Sequence, residues 1–344
     1  MEPVRIAVIG AGLIGAKHIA YVTACPEAVL VAIADPDPAA QGLAEAHGAT
    51  YWTDPRAMLA AGDIDGAIVA TPTALHEAAG LSCVEAGVHA LVEKPICHEL
   101  DAAERLNRAA EARGVRLLTG HHRRYNPWLA EARRIIDDGE IGRIVGLSAL
   151  FSVAKPADYF KPDWRRSPGG GPVLTNLIHD IDLMRALLGE IAEVSAMTSS
   201  GVRGFETEDT AVLTLRFENG ALGTVFCSDT APSPWSWEQS TGENHPTFPE
   251  NDENAYRIFG TEASMEFPRL RIWRQIGGPD WTNEITVSAA RPARADVYTL
   301  QMAHFARVIR GQEEPLVSGR EGQRSLAATL AVFEAAATGQ TVRL

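Results

Sequence analysis

The chain opens on Val4-Arg5-Ile6-Ala7-Val8-Ile9-Gly10-Ala11-Gly12-Leu13-Ile14-Gly15, and this stretch decides the first half of the fold. Val4–Ile9 is apolar except for Arg5 and reads as a buried strand; Leu13–Ala24 carries the spacing of a helix. Between them Gly10 permits a tight turn, Gly12 lets backbone approach a pyrophosphate, and Gly15 allows the helix to pack closely on the strand. The N–H groups where the helix starts, at Leu13 and Ile14, are offered to an anion. Asp35 lies twenty residues beyond Gly15, at the end of the next apolar run, where a carboxylate can bond a ribose 2′-hydroxyl. Such an acid repels a 2′-phosphate, so the pattern points to NAD in preference to NADP.

Outward from that turn the alternation continues. Residues 29–34, 66–70, 88–92 and 115–119 are strand-like, with helical segments at 39–47, 74–86 and 100–113. Short apolar strands separated by helices predict a parallel sheet with right-handed crossovers, a doubly wound Rossmann domain over residues 1–125. Past residue 127 the grammar changes. Segments 143–153, 193–200, 210–217, 221–228, 257–259, 265–267 and 285–287 are strand-like and follow one another without long helices. One helix at 173–188 interrupts them, and two more close the chain at 297–310 and 322–337. The prediction is a second α/β domain, 126–344, with an open, mostly antiparallel sheet. Asn219-Gly220 predicts a two-residue hairpin. Residues 228–254 have no period, and a loop that long is usually functional or mobile.

The chain's 344 residues suit about two domains. Lys plus Arg number 31 and Asp plus Glu 44, a net charge of −13. That charge repels phosphate backbones and anionic lipid, so neither nucleic acid nor a membrane is an expected partner. No apolar run approaches the roughly 20 residues of a membrane span, and the N-terminus has no signal-peptide shape. Cys25, Cys83, Cys97 and Cys227 are scattered and form no C-x-x-C pair, which predicts reduced thiols and a cytoplasmic protein.

Candidate chemistry lies at two places. Lys94 ends a strand of the parallel sheet, where ligands bind, and its ammonium can stabilise negative charge developing on an oxygen. Pro95 after it admits a cis peptide. On helix 173–188, Leu174, Leu177, Ile178, Ile181, Met184 and Leu188 form an apolar face, and Thr175, His179 and Asp182 form another stripe. His179 suits proton transfer, with Asp182 either orienting the imidazole or serving as helix surface charge. Adjacent His121 and His122 point to opposite faces of an extended segment and have no acidic or Cys partner at ligand spacing, so no metal is expected. Trp235, Trp237 and His245 in the long loop either stack on a sugar ring or anchor the loop.

Further segments complete a pattern: Ala70-Thr71-Pro72-Thr73-Ala74-Leu75-His76, Glu93-Lys94-Pro95, Gly169-Gly170-Gly171 leading to His179-Asp180-Ile181-Asp182, and the tail Pro315-Leu316-Val317-Ser318-Gly319. With the glycine turn, they resemble the Gfo/Idh/MocA family of sugar and polyol oxidoreductases, typified by glucose–fructose oxidoreductase and inositol dehydrogenase. The resemblance covers nearly the whole chain. It implies a nicotinamide between two domains, with Thr71, Pro72, His76, Glu93, Trp164 and Arg165 about the cofactor. Lys94 would contact both the substrate and the nicotinamide ribose, and His179 would face the reacting hydroxyl. His122 and Arg123 would fall at the rim of the substrate pocket, and the open sheet would join a homodimer or homotetramer. One departure stands out. Inositol dehydrogenase-like members carry an aspartate four residues before the histidine, where this chain has Thr175 followed by Asn176. These two hydrogen-bond but exchange no proton at neutral pH. Asn176 is expected either to touch substrate or carboxamide or to cap the helix. The expected reaction is hydride transfer between nicotinamide and a secondary hydroxyl or ketone of a sugar, cyclitol or related polyol. The alternatives are an NAD-dependent glycosidase-type or dihydrodiol dehydrogenase relative, and a non-enzymatic NAD-binding regulator.

Overall fold

The computed structural model describes residues 2–244 and 247–344; His245 lies outside them. The strands in chain order are β1 (Val4–Ile9), β2 (Ala28–Ala34), β3 (Thr50–Trp52), β4 (Gly66–Val69), β5 (His89–Val92), β6 (Leu117–Thr119), β7 (Ile144–Ser152), β8 (Ile191–Ser199), β9 (Thr210–Phe217), β10 (Leu222–Ser228), β11 (Tyr256–Gly260), β12 (Ser264–Phe267), β13 (Arg271–Gln275), β14 (Ile285–Ala289) and β15 (Val342–Arg343). The helices are α1 (Leu13–Ala24), α2 (Ala39–Ala46), α3 (Pro55–Ala60), α4 (His76–Glu85), α5 (Leu100–Arg113), α6 (Pro127–Asp137), α7 (Ile178–Leu188), α8 (Trp237–Thr241), α9 (Val297–Ile309) and α10 (Gly319–Thr338).

The chain forms two compact units, Met1–Tyr125 with Ala295–Leu326, and Asn126–Arg294 with Ala327–Leu344. In the first, six strands run parallel in the order β3-β2-β1-β4-β5-β6. This is the doubly wound order, and it reverses between β1 and β4, where such folds hold their ligands. β1 and β4 are buried nearly end to end, as strands covered on both faces are, which is why they read as unbroken apolar runs. The first boundary falls where the sequence places it, but the division 1–125 and 126–344 needs correction. Ala295–Leu326 belongs with the first unit because α9 buries Met302, Phe305 and Val308 in one cluster with Val4, Ile6 and Val8. A Cβ at Gly66 would stand 3.1 Å from the Phe305 ring, so glycine makes room for that helix. Leu118 of β6 also bridges to Ser318.

The second unit holds nine strands in the order β14-β13-β12-β11-β7-β10-β9-β8-β15, antiparallel except for β7 with β10. β9 alternates buried and outward residues, the mark of a sheet with one packed face. The β9–β10 hairpin differs from expectation. Phe217 N–H donates to Ala221 O, so Glu218, Asn219 and Gly220 form a three-residue loop. Gly220 at φ 86° supplies its left-handed residue. The expected single helix at 173–188 is also broken: Val173–Leu177 is a π-helical turn and α7 begins at Ile178.

Candidate active site

The glycine turn is built as its spacing requires. Gly10 has φ +94°, and a Cβ there would stand 2.7 Å from Ala70 O, pressing on the end of β4. A Cβ on Gly15 would stand 1.9 Å from Gly10 O. Gly12 is different: a Cβ there meets nothing within 4 Å, so the protein itself does not need glycine at this position. It is also the N-cap of α1, and no side chain caps that helix end. An uncapped helix start under a glycine that nothing among the described residues crowds suits a pyrophosphate. Asp35 lies beside it, its carboxylate accepting from Ala11 N–H at 2.6 Å and Asp37 N–H at 2.8 Å.

At the end of β5 the Lys94–Pro95 bond is cis, and its surroundings hold it tightly. Glu93 does not reach outward. Its Oε1 is 2.7 Å from His18 Nε2 of α1, and its Oε2 accepts Lys94 N–H at 3.1 Å. Burial alone would raise the Glu93 carboxyl, but the hydrogen bond and charge of His18, with Lys94 and His122, bring it down to about 2. His76 is likewise a brace, with Nδ1 2.8 Å from Pro95 O and Nε2 2.9 Å from Thr71 O. Burial pushes its imidazole below the ordinary value against those two carbonyls. A neutral ring donates to only one of these carbonyls, but both nitrogens face backbone, so the part of His76 near a cofactor is positional. The His122 ring stacks on Tyr298 at 4.6 Å, and Arg123 is buried.

In the second unit α7 is buried on almost every side, so the expected split into an apolar face and a polar stripe does not hold. His179, Asp180, Asp182 and Arg185 are all buried. Asp182 has Arg185 Nη1 3.8 Å away, and the Tyr256 hydroxyl donates to Asp180. The π turn shifts the phase ahead of α7, leaving Thr175 and Asn176 half-exposed while His179 is buried. Such turns concentrate at functional sites. The Thr175 hydroxyl lies 2.7 Å from Gly171 O and 3.0 Å from Asn176 Oδ1. Trp237 is core, with its indole N–H donating to Glu243, while Trp235 is exposed at the loop. Trp164 is exposed, and the Arg165 guanidinium lies over the Tyr159 ring at 3.8 Å and donates to Tyr159 O.

Lys155 escaped the sequence reading. It lies just past β7, beside the end of its parallel neighbour β10. Its Nζ is 3.4 Å from Asp229 Oδ2 and 3.5 Å from Thr175 Oγ1. Arg203 Nε shares Asp229 at 3.1 Å. A signal was present: Lys155-Pro156 follows a strand end as Lys94-Pro95 does.

Residues 4–121 match the oxidoreductase family with NAD-binding Rossmann fold, and residues 129–266 match the GFO/IDH/MocA C-terminal domain. The chain belongs to the GFO/IDH/MocA family of oxidoreductases, and it is an NAD-binding enzyme. It is 28% identical to the scyllo-inositol 2-dehydrogenase (NAD(+)) of Bacillus subtilis (strain 168), over 99% of this chain and 96% of that protein. It is 30% identical to the 1,5-anhydro-D-fructose reductase of Ensifer adhaerens, over 82% and 80%. Among solved structures, the WlbA dehydrogenase from Bordetella pertussis in complex with NADH and UDP-GlcNAcA aligns at a TM-score of 0.79 and 28% identity, covering 100% of this chain and 99% of that one.

Proposed function

We propose that this enzyme passes a hydride between NAD and a secondary hydroxyl or ketone of a sugar, cyclitol or related polyol. The carrying observation is Lys94 at the end of β5, fixed through its own amide and the neighbouring Pro95 carbonyl. The substrates named for the similar proteins are cyclitols and sugars, which supports the same class here. When bound, NAD would supply the hydride acceptor for the carbinol carbon. Gly10, Gly12, Leu13, Ile14 and Gly15 would hold its pyrophosphate and Asp35 its ribose, with preference over NADP. Lys94 would donate a hydrogen bond to the reacting oxygen and stabilise its negative charge. His179 would take the hydroxyl proton, with Asn176 placing the substrate. Trp235, His122 and Arg123 remain substrate candidates, and Thr71, Pro72, Trp164 and Arg165 cofactor candidates.

The test is a screen of sugars, cyclitols, lactones and dihydrodiols for reduced nicotinamide absorbance with NAD. Net reduction with a sugar or polyol is the expected result. Cleavage of a glycoside with no net reduction would replace this reading with the glycosidase-type one. We further propose a homo-oligomer joined through the outward sheet face of the second unit, and a cytoplasmic setting on the strength of four buried free thiols.

A further inference from the structure

We propose that Glu93 and His18 are positioning residues for Lys94, tying the helix behind the glycine turn to the lysine that meets the substrate. This rests on the reading of Lys94 as catalytic. The two Glu93 oxygens serve two different elements. Oε1 takes His18 Nε2 from α1 at 2.7 Å, and Oε2 takes the Lys94 amide at 3.1 Å. His18 is 1% exposed, so water does not substitute for it. The carboxylate has its own niche: a Cβ on Gly120 would stand 2.9 Å from Glu93 Cδ, and only glycine leaves that space. The backbone on either side is fixed by Glu93 N–H donating to Val69 O and Gly120 N–H to Val92 O.

The chemistry dictates the proton arrangement. An ionised carboxylate only accepts hydrogen bonds, so His18 Nε2 carries a hydrogen and donates it. Lys94 N–H donates as well, so both partners require acceptors. A glutamine at position 93 offers one oxygen and one NH₂, and its NH₂ faces a donor unless the His18 imidazole moves its proton to Nδ1 and accepts at Nε2. The neutral isostere therefore breaks one of the two bonds, or keeps both only by forcing the other imidazole tautomer and trading a carboxylate acceptor for a weaker amide one, with almost no change of shape. His18 lies in α1, whose start is the expected pyrophosphate seat, and Glu93 joins that helix to the peptide of Lys94.

The experiment compares Glu93→Gln, His18→Leu, His18→Gln and Lys94→Met. The first readout needs no substrate: exchange of the Lys94 amide hydrogen, followed by NMR, should quicken roughly tenfold or more in Glu93→Gln and His18→Leu as its acceptor is lost or loosened. His18→Gln keeps an N–H donor at similar reach and should restore most of the protection. With substrate, Glu93→Gln and His18→Leu should lose roughly tenfold to a hundredfold in kcat, the scale of a small misplacement, with NAD affinity and substrate KM largely kept. Unchanged amide exchange and kcat in both variants, with Lys94→Met inactive, would overturn this proposal alone. An active Lys94→Met would instead overturn the reading of Lys94 on which it rests. Equal losses in His18→Gln and His18→Leu would show that the imidazole shape matters and not its donor, which also contradicts the proposal.

Discussion

Thr175 has one hydroxyl proton, and Gly171 O lies 2.7 Å away to accept it. With Lys155 Nζ on its lone-pair side at 3.5 Å, the hydroxyl has little left with which to move a substrate proton. Thr175→Val should therefore cost less than about tenfold in kcat, whereas His179→Ala should cost roughly two to four orders of magnitude. Steady-state rates of the two variants decide it, and the reverse order would move the proton acceptor away from His179. Lys155→Met leaves Asp229 its bond from Arg203, so it should fold; if Lys155 lies on the substrate side, KM should rise with NAD affinity unchanged. Glu93 gives a pH dependence of stability. Its carboxyl ordinarily titrates near 4.5 and is held at about 2 in the fold. A depressed acid contributes stability above its unfolded value and loses that contribution as pH falls through its folded value. On the order of 3 kcal/mol should thus disappear between about pH 4.5 and 2. Thermal melts of wild type and Glu93→Gln should converge across that window; parallel curves would refute it.

At the scale of elements, the two glycines of one turn separate folding from binding. A Cβ on Gly15 meets Gly10 O at 1.9 Å, while one on Gly12 meets nothing. Gly15→Ala should lower the melting temperature markedly. Gly12→Ala should melt like wild type and yet bind NAD about tenfold or more weakly, since only the ligand approaches there. Calorimetry with differential scanning distinguishes the two. Beside that turn, Asp35 should make NAD bind at least about tenfold tighter than NADP, or 1.4 kcal/mol. Much of this element grammar was legible, because strands buried on both faces and an interrupting glycine motif leave strong local signals. Short pieces were not: Thr50–Trp52 and Arg271–Gln275 are strands set by their neighbours' edges, too brief for a period of their own. The π turn at Val173–Leu177 was hidden because helical spacing assumes a constant pitch, and one extra residue per turn leaves no mark in the apolar pattern. Asp182 is expected either to orient His179 or to serve as helix surface charge; the fold buries it, with Arg185 Nη1 of the same helix 3.8 Å away.

For the whole molecule, the outward face of the nine-stranded sheet carries Met197, Val212, Leu222, Phe259, Trp273 and Val287, all exposed. Strand register places Met197 opposite Val212, Phe259 opposite Ser264, and Trp273 opposite Val287 on that one face. A chain rarely leaves so much apolar surface to water without a partner, and a second copy is the proposed one. Light scattering at micromolar concentration should give a dimer or larger, and Met197→Glu with Val212→Lys should shift it toward monomer. The return of Ala295–Leu326 to the first unit was not legible, because α9 reads like any amphipathic helix and nothing local names the sheet it covers. The central claim is chemical, and the most direct measurement is a paired one on wild type and Lys94→Met. NAD binding is titrated by calorimetry, and reduced nicotinamide absorbance is followed with the polyol that the screen selects. The expected result is NAD affinity within about threefold between the two proteins and turnover in wild type alone. Turnover by Lys94→Met near the wild-type rate would contradict the assignment of Lys94.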